Sequence, residues 1–176
     1  SHASGNREAA GAVVLEGGNT RNAVHVDAFV RDGGDARVPH DLACTQGGVT
    51  RMTRSLCNTA SLARGAAVGA STFFDQGYLG ASVSSHRQDY GSAAEAEVTL
   101  GMRSDRVAVE GQWRPRSGPL ASARLQAAHT DYRHTEFEDG TPGTVFSKRG
   151  EDARLELRHH PVGGWSGVFG LQAERS

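Results

Sequence analysis

ARLELRHH, residues 153–160, decides what kind of fold this chain builds. Ala153, Leu155 and Leu157 alternate with Arg154, Glu156 and Arg158, so an extended strand puts the apolar set on one face and the ions on the other. The same period of two recurs along the chain. In RNAVHVDAFVR (21–31), Val24, Val26, Ala28 and Val30 share a face, opposite His25 and Asp27. ARGAAVGASTFF (63–74) aligns Ala66, Val68, Ala70, Thr72 and Phe74, and YLGASVSS (78–85) aligns Leu79, Ala81 and Val83. SARLQAAH (122–129) sets Ala123, Leu125 and Ala127 against Arg124 and Gln126, and GVFGLQAE (167–174) aligns Phe169, Leu171 and Ala173. With the opening GAVVLEG (11–17) and a long segment at 97–113, about eight strands are expected and no helix.

The segment EVTLGMRSDRVAVEGQW (97–113) is less regular. Val98, Leu100 and Met102 are in phase, whereas Val107, Val109 and Trp113 lie on the opposite parity. A bulge, or a departure from the sheet, is expected there.

Composition agrees with short-turned strands that are apolar on one side only. Hydrophobic residues make up 37% and aromatics 6% of the 176 residues, while the 23 glycines amount to about 13%, against an average near 7%. A net charge of −1 gives no support for nucleic acid as a partner. No apolar run reaches the roughly 18 residues of a membrane helix. The chain has no initiator Met and no signal-peptide segment, and it is read as a piece of a larger protein.

The connections carry further information. GGNT (17–20), DQG (75–77), RPRSGP (114–119) and PVGGW (161–165) are short joins, and longer polar loops are expected at about 32–60, 87–96 and 136–143. Short and long connections thus alternate, as in a transmembrane β-barrel with short periplasmic turns and longer extracellular loops. The ionic faces favour the same reading. Arg124, Gln126, Arg154, Glu156 and Arg158 are too costly for a dry core, at several kcal/mol per unpaired ion, but they suit a wet or plug-filled lumen. The expected fold is therefore all-β, an antiparallel up-and-down transmembrane barrel segment. A soluble lipocalin-like barrel, apolar inward and charged outward, is the alternative that alternation alone leaves open. A small eight-stranded outer-membrane barrel with a structural or adhesive role is another.

At this point four stretches carry a resemblance: GNTRNAVHVDAFVRDGGDARVP (18–39), GASTFFDQGYLGASVSSHRQDYGSAAEAEV (69–98), HTDYRHTEFEDGTPGTVFSKRG (129–150) and ARLELRHHPVGGWSGVFGLQAE (153–174). Together they resemble consecutive barrel hairpins of TonB-dependent outer-membrane receptors and are similar to the branch associated with zinc uptake. The resemblance spans nearly the whole chain in order. Three positions depart from it: His86 and His129 stand where tyrosine is expected, and Glu151 where tryptophan is expected.

The resemblance implies a barrel of about 22 strands in the bacterial outer membrane, with an N-terminal plug inside it and a segment that contacts TonB. Neither the plug nor that segment is recognisable here, so residues 1–176 are expected to be a partial barrel domain. The implied partners are outer-membrane lipid, the parent's own plug and TonB; zinc is implied as transported cargo, with no required cofactor.

TDYRHTE (130–136) is the candidate metal stretch. His134 and Glu136, two apart, share a face of an extended strand, and imidazole and carboxylate both suit zinc, which needs three or four ligands. His40, His86, Asp89, Glu95 and Glu97 are the candidates for the others; solvated polar loop residues are the alternative reading of all seven. His159 and His160 read as a strand end, and His25 and Asp27 as lumen residues. Glu136, Glu138 and Asp139 form an acidic set at a loop tip. Cys44 and Cys57, the only cysteines, lie 13 positions apart in one polar segment. A local disulfide, and with it an oxidising compartment, is the expectation, with two free thiols as the alternative. Motifs for catalysis (HExxH, G-x-S-x-G, a P-loop, a working carboxylate pair) are absent from the sequence, so no enzymatic activity is expected.

Overall fold

The structure, a computed structural model, describes residues 2–3 and 5–176. It is all-β and antiparallel. The strands are β1 (His2–Ala3), β2 (Glu8–Gly18), β3 (Asn22–Gly33), β4 (Ala36–Gln46), β5 (Val49–Leu56), β6 (Ser61–Phe74), β7 (Gly77–Ser92), β8 (Glu95–Trp113), β9 (Leu120–Glu138), β10 (Thr141–His159) and β11 (Val168–Arg175). Nine of them form one sheet in the order β1-β2-β3-β6-β7-β8-β9-β10-β11, and β4-β5 make a separate hairpin between β3 and β6. All eight strands read from the alternation are present. The sheet does not close: β1 and β11 are its edges.

Two expectations are corrected by the ladder. First, β8 carries no bulge at the change of parity. Each residue from Thr99 to Trp113 pairs in unbroken register with β7, and each from Val98 to Trp113 with β9. Second, 87–96 and 136–143 are not long loops. β7 runs on to Ser92 and β9 to Glu138, and each closes in a two-residue turn. At the second of these, Asp139 and Gly140 have φ of 49° and 74°, the mirror-image turn that matches strand twist and that Asp-Gly favours. The polar residues in these stretches made them look like loops; their backbone groups continue the ladder instead.

The 32–60 segment is long, as expected, but it is a hairpin rather than an irregular loop. Gly47 and Gly48 turn it with φ of 56° and 73°. Its base is anchored by Asn58, held at a φ of 56° that asparagine tolerates. The Asn58 amide lies 3.0, 2.8 and 2.6 Å from the carbonyls of Ser92, Glu95 and Val98. With two protons for three acceptors, it pins the β7–β8 turn beneath the hairpin. Gly91 packs directly against Asn58, leaving no space for a side chain.

Paired residues of neighbouring strands share a face, so the registers sort every side chain. One row reads Leu15, Val26, Val68, Val83 and Val107; the next reads Gly17, Val24, Ala70, Ala81, Val109, Ala127, Ala153 and Ala173. The apolar sets named in the sequence lie on this face, except Val98, Leu100 and Met102 at the upper end of β8. Its large side chains are open, with Leu15 63%, Val83 48% and Leu171 60% exposed. Level with this apolar area, the opposite face is polar and charged and lines a trough with a cavity of about 1150 Å³, so the sheet is concave on that side. Among the described residues only Gly33, Ala63 and Ser122 are buried. The fold is a single curved layer, and among the described residues no second layer packs against either face.

The apolar area slants across the sheet. Its continuous run ends upward (toward the β7–β8 and β9–β10 turns) at Val30, Ala66, Val83, Val107, Ala127, Ala153 and Ala173 on successive strands. The limit therefore drops by three paired rows over six strand spacings. At about 3.4 Å per residue and about 4.8 Å per strand, the slope is about 35°.

Candidate functional site

The trough is built from the small-and-polar parity of β2, β3 and β6–β11. Glycine and alanine at Ala67, Gly69, Gly80 and Ala108 leave it room, and charged pairs furnish its floor. Glu110 is the hub. It accepts hydrogen bonds from Tyr78, from Arg124 at 2.8 Å and from Gln126 at 2.6 Å. Alongside, Glu156 holds Arg158 at 3.0 Å and Arg154 at 3.6 Å, and Arg106 reaches Asp152 at 3.4 Å. His25 bridges Glu16 at 3.0 Å and Asp27 at 3.1 Å through its two ring nitrogens. Arg124, Gln126, Arg154, Glu156, Arg158, His25 and Asp27 are thus on the concave side together. Sequence reading missed Glu110 and Tyr78. The signal was present for Glu110, because Arg106, Glu110 and Gln112 alternate with Val107, Val109 and Trp113.

Above the trough the same face changes character. His134 lies between two rings: Phe146 with centroids 4.5 Å apart, and Tyr132 edge-on at 5.8 Å, with the Tyr132 hydroxyl 3.2 Å from His134 Nδ1. His86 stacks on Phe29 at 5.7 Å. Gly65 pairs with both Phe29 and His86 and makes this stack possible, since a methyl group there would come within 2.6 Å of the Phe29 ring. Leu100 and Met102 share this side, which explains the parity switch in β8. The lower half of the strand puts its apolar residues on the convex face. The upper half turns them toward the aromatic and imidazole cluster on the concave face.

The seven candidate metal residues are not gathered in one place. His134 and Glu136 share the concave face at the upper end of β9, beside Met102 and Leu100. His86 is on that face too, but it lies two strands and one row away. Asp89 points to the convex face, three positions from His86. Glu97 accepts a hydrogen bond from the Gly47 amide at 3.2 Å and so tethers the hairpin tip. The backbone carbonyl of Glu95 serves Asn58. His40 is exposed in the irregular part of β4 between Arg37 and Leu42. No group of three or more His, Cys, Asp or Glu residues suited to a metal ion occurs among the described residues. His159 donates from Nδ1 to the carbonyl of His160, 2.6 Å away, at the end of β10, as read.

Cys44 and Cys57 are joined in a disulfide with Cα atoms 6.0 Å apart. Cys44 pairs with Arg51 across the hairpin, six residues from Cys57. A straight strand would put that distance at about 20 Å. The hairpin must therefore curl back over its own face, and the three extra residues of β4 between Arg37 and Leu42 supply the bend. The chain matches no protein-family model.

Proposed function

We propose that this chain is part of the barrel wall of an outer-membrane TonB-dependent receptor that imports a metal species, zinc being the cargo that the sequence resemblance favours. The observation that carries the membrane part is the slanted apolar area on the convex face of a single-layer sheet. Strands of transmembrane barrels tilt by about 35–45°, and a horizontal slab of lipid crosses tilted strands along just such a slope. Exposed apolar surface on this scale needs a cover. The polar concave face suits water or a plug, the reverse of a lipocalin. The unpaired edges at β1 and β11 favour a segment of a larger barrel over a small closed one. The disulfide fits the oxidising side of the inner membrane. The receptor family and its cargo rest on the resemblance of the four stretches.

In this reading the upper concave face, with His134 and Glu136, is the wall of the cargo vestibule, and further ligands come from outside this segment. Calorimetry with zinc on the chain folded in detergent tests it. Two ligands without a third give weak binding, and a dissociation constant above micromolar is expected. Binding is expected to weaken at least tenfold, about 1.4 kcal/mol, in a His134→Ala, Glu136→Ala double variant. Unchanged binding in the variant would remove both residues from the cargo path. Loss of solubility when detergent is withdrawn is expected in the same preparation; a dispersed chain would favour the soluble barrel.

A further inference from the structure

The registers align four arginines that the sequence scatters. Arg64, Arg87, Arg103 and Arg133 are consecutive partners across β6, β7, β8 and β9, all on the convex face and all exposed. Like charges directly opposite one another destabilise a sheet, so such a row calls for a counter-charge. Arg103 has one, Asp105 at 2.6 Å. Arg64, Arg87 and Arg133 have no hydrogen-bonded or ion-pair partner among the described residues. Carboxylates are near. Asp105 and Asp131 lie in the row below and Asp89 in the row above, but Asp131 is engaged by Arg149 at 3.3 Å and His129 at 3.2 Å.

The place of the row matters as much as its charge. Arg64 stands one row above the last apolar residue of its strand, Ala66; Arg87 and Arg103 stand two rows above Val83 and Val107, and Arg133 three rows above Ala127. On a wall that faces lipid, the row starts where the acyl layer gives way to headgroups, at Arg64, and runs outward through the headgroup layer to Arg133. Guanidinium groups spaced about 5 Å apart can bind phosphate oxygens in pairs, through geometry that a lone ammonium lacks.

We propose that the Arg64–Arg87–Arg103–Arg133 row is a binding site on the outer wall for the phosphate groups of a phosphorylated lipid headgroup. The site is occupied from the membrane, not from the lumen, and it ties the wall to the leaflet on the side of the hairpin turns. This inference rests on the membrane reading above.

The test uses the chain in zwitterionic detergent with three probes: a glycolipid bearing phosphomonoesters, the same glycolipid dephosphorylated, and inorganic phosphate. Native mass spectrometry reads retention. The phosphorylated lipid is expected to be retained at least tenfold more strongly than the dephosphorylated one, and Arg87→Gln with Arg103→Gln is expected to abolish that preference. Arg87→Lys with Arg103→Lys should restore part of it, and Arg106→Gln, on the concave face, should leave it intact. Equal retention of the two lipids, or an unchanged preference in the glutamine variant, overturns the inference. So does competition by millimolar inorganic phosphate without any lipid preference, which would make the row a plain anion site. A chain that needs no detergent at all removes the membrane reading, and the inference with it. A detergent-dependent chain with no lipid preference removes the inference alone.

Discussion

Replacing Val109 with arginine is expected to destabilise the lipid-inserted chain by about 2–4 kcal/mol, the cost of a cation at the lipid-facing midplane of a barrel. Val109 lies in the middle of the apolar run of β8, on the convex face, between Ala81 of β7 and Ala127 of β9. Ala108→Arg, one residue away, is expected to change stability by no more than about 1 kcal/mol. Ala108 faces the trough among small neighbours, in the row that also holds Ser82, Ala128 and Asp152. Equilibrium urea unfolding of the chain in lipid vesicles measures both. Equal costs would mean that the two faces see the same medium, and a larger cost for Ala108→Arg would put the lipid, or a dry core, on the concave side.

Replacing Cys44 and Cys57 together with serine is expected to loosen the β4–β5 hairpin by about 3 kcal/mol, the chain-entropy value for a loop of this length. The effect should stay local. The hairpin forms its own sheet and is tied to the rest by a few bonds, among them Gly47 to Glu97, Asn58 to the β7–β8 turn, and the Arg37 amide to the Gly5 carbonyl at 2.7 Å. Hydrogen exchange should show the amides of 36–56 losing protection while β6 to β10 keep theirs. Loss of protection throughout would mean that the hairpin nucleates or clamps the large sheet, contrary to its sparse connections.

The face assignment was legible in the sequence because it follows from period two alone. Once Leu155 and Leu157 oppose Arg154 and Glu156, any antiparallel partner in register must repeat the division, and it does across the lower part of β3 and β6 to β11. The strand ends were not legible. Asp89, Glu136 and Glu138 are polar and look like loop residues, yet a strand that continues beyond an apolar layer into water has no reason to stay apolar. The β8 parity switch is visible in the sequence, but it comes from neither a bulge nor a departure from the sheet: the two halves of the strand face different surroundings. The β4–β5 hairpin was missed although Gly47-Gly48 is a two-residue turn signal; its irregular pairing between Arg37 and Leu42 hides the alternation on one side.

For the candidate site, the lumen set was readable and the arginine row was not. Arg64, Arg87, Arg103 and Arg133 are separated by 23, 16 and 30 positions, and only the register brings them together. The metal set shows the converse. His86 and Asp89 look adjacent in sequence, but three residues on a strand is an odd step, and it sends them to opposite faces.

Collision accessibility of spin labels placed singly at positions 106–112 of β8, in the chain reconstituted in lipid, decides which face of the sheet meets the bilayer. A period of two is expected: labels at 107, 109 and 111 collide with oxygen dissolved in the bilayer, and labels at 106, 108, 110 and 112 collide with a water-soluble nickel chelate. Uniform accessibility to the chelate along the strand, or oxygen contact on the even positions, would contradict the assignment of the convex face to lipid.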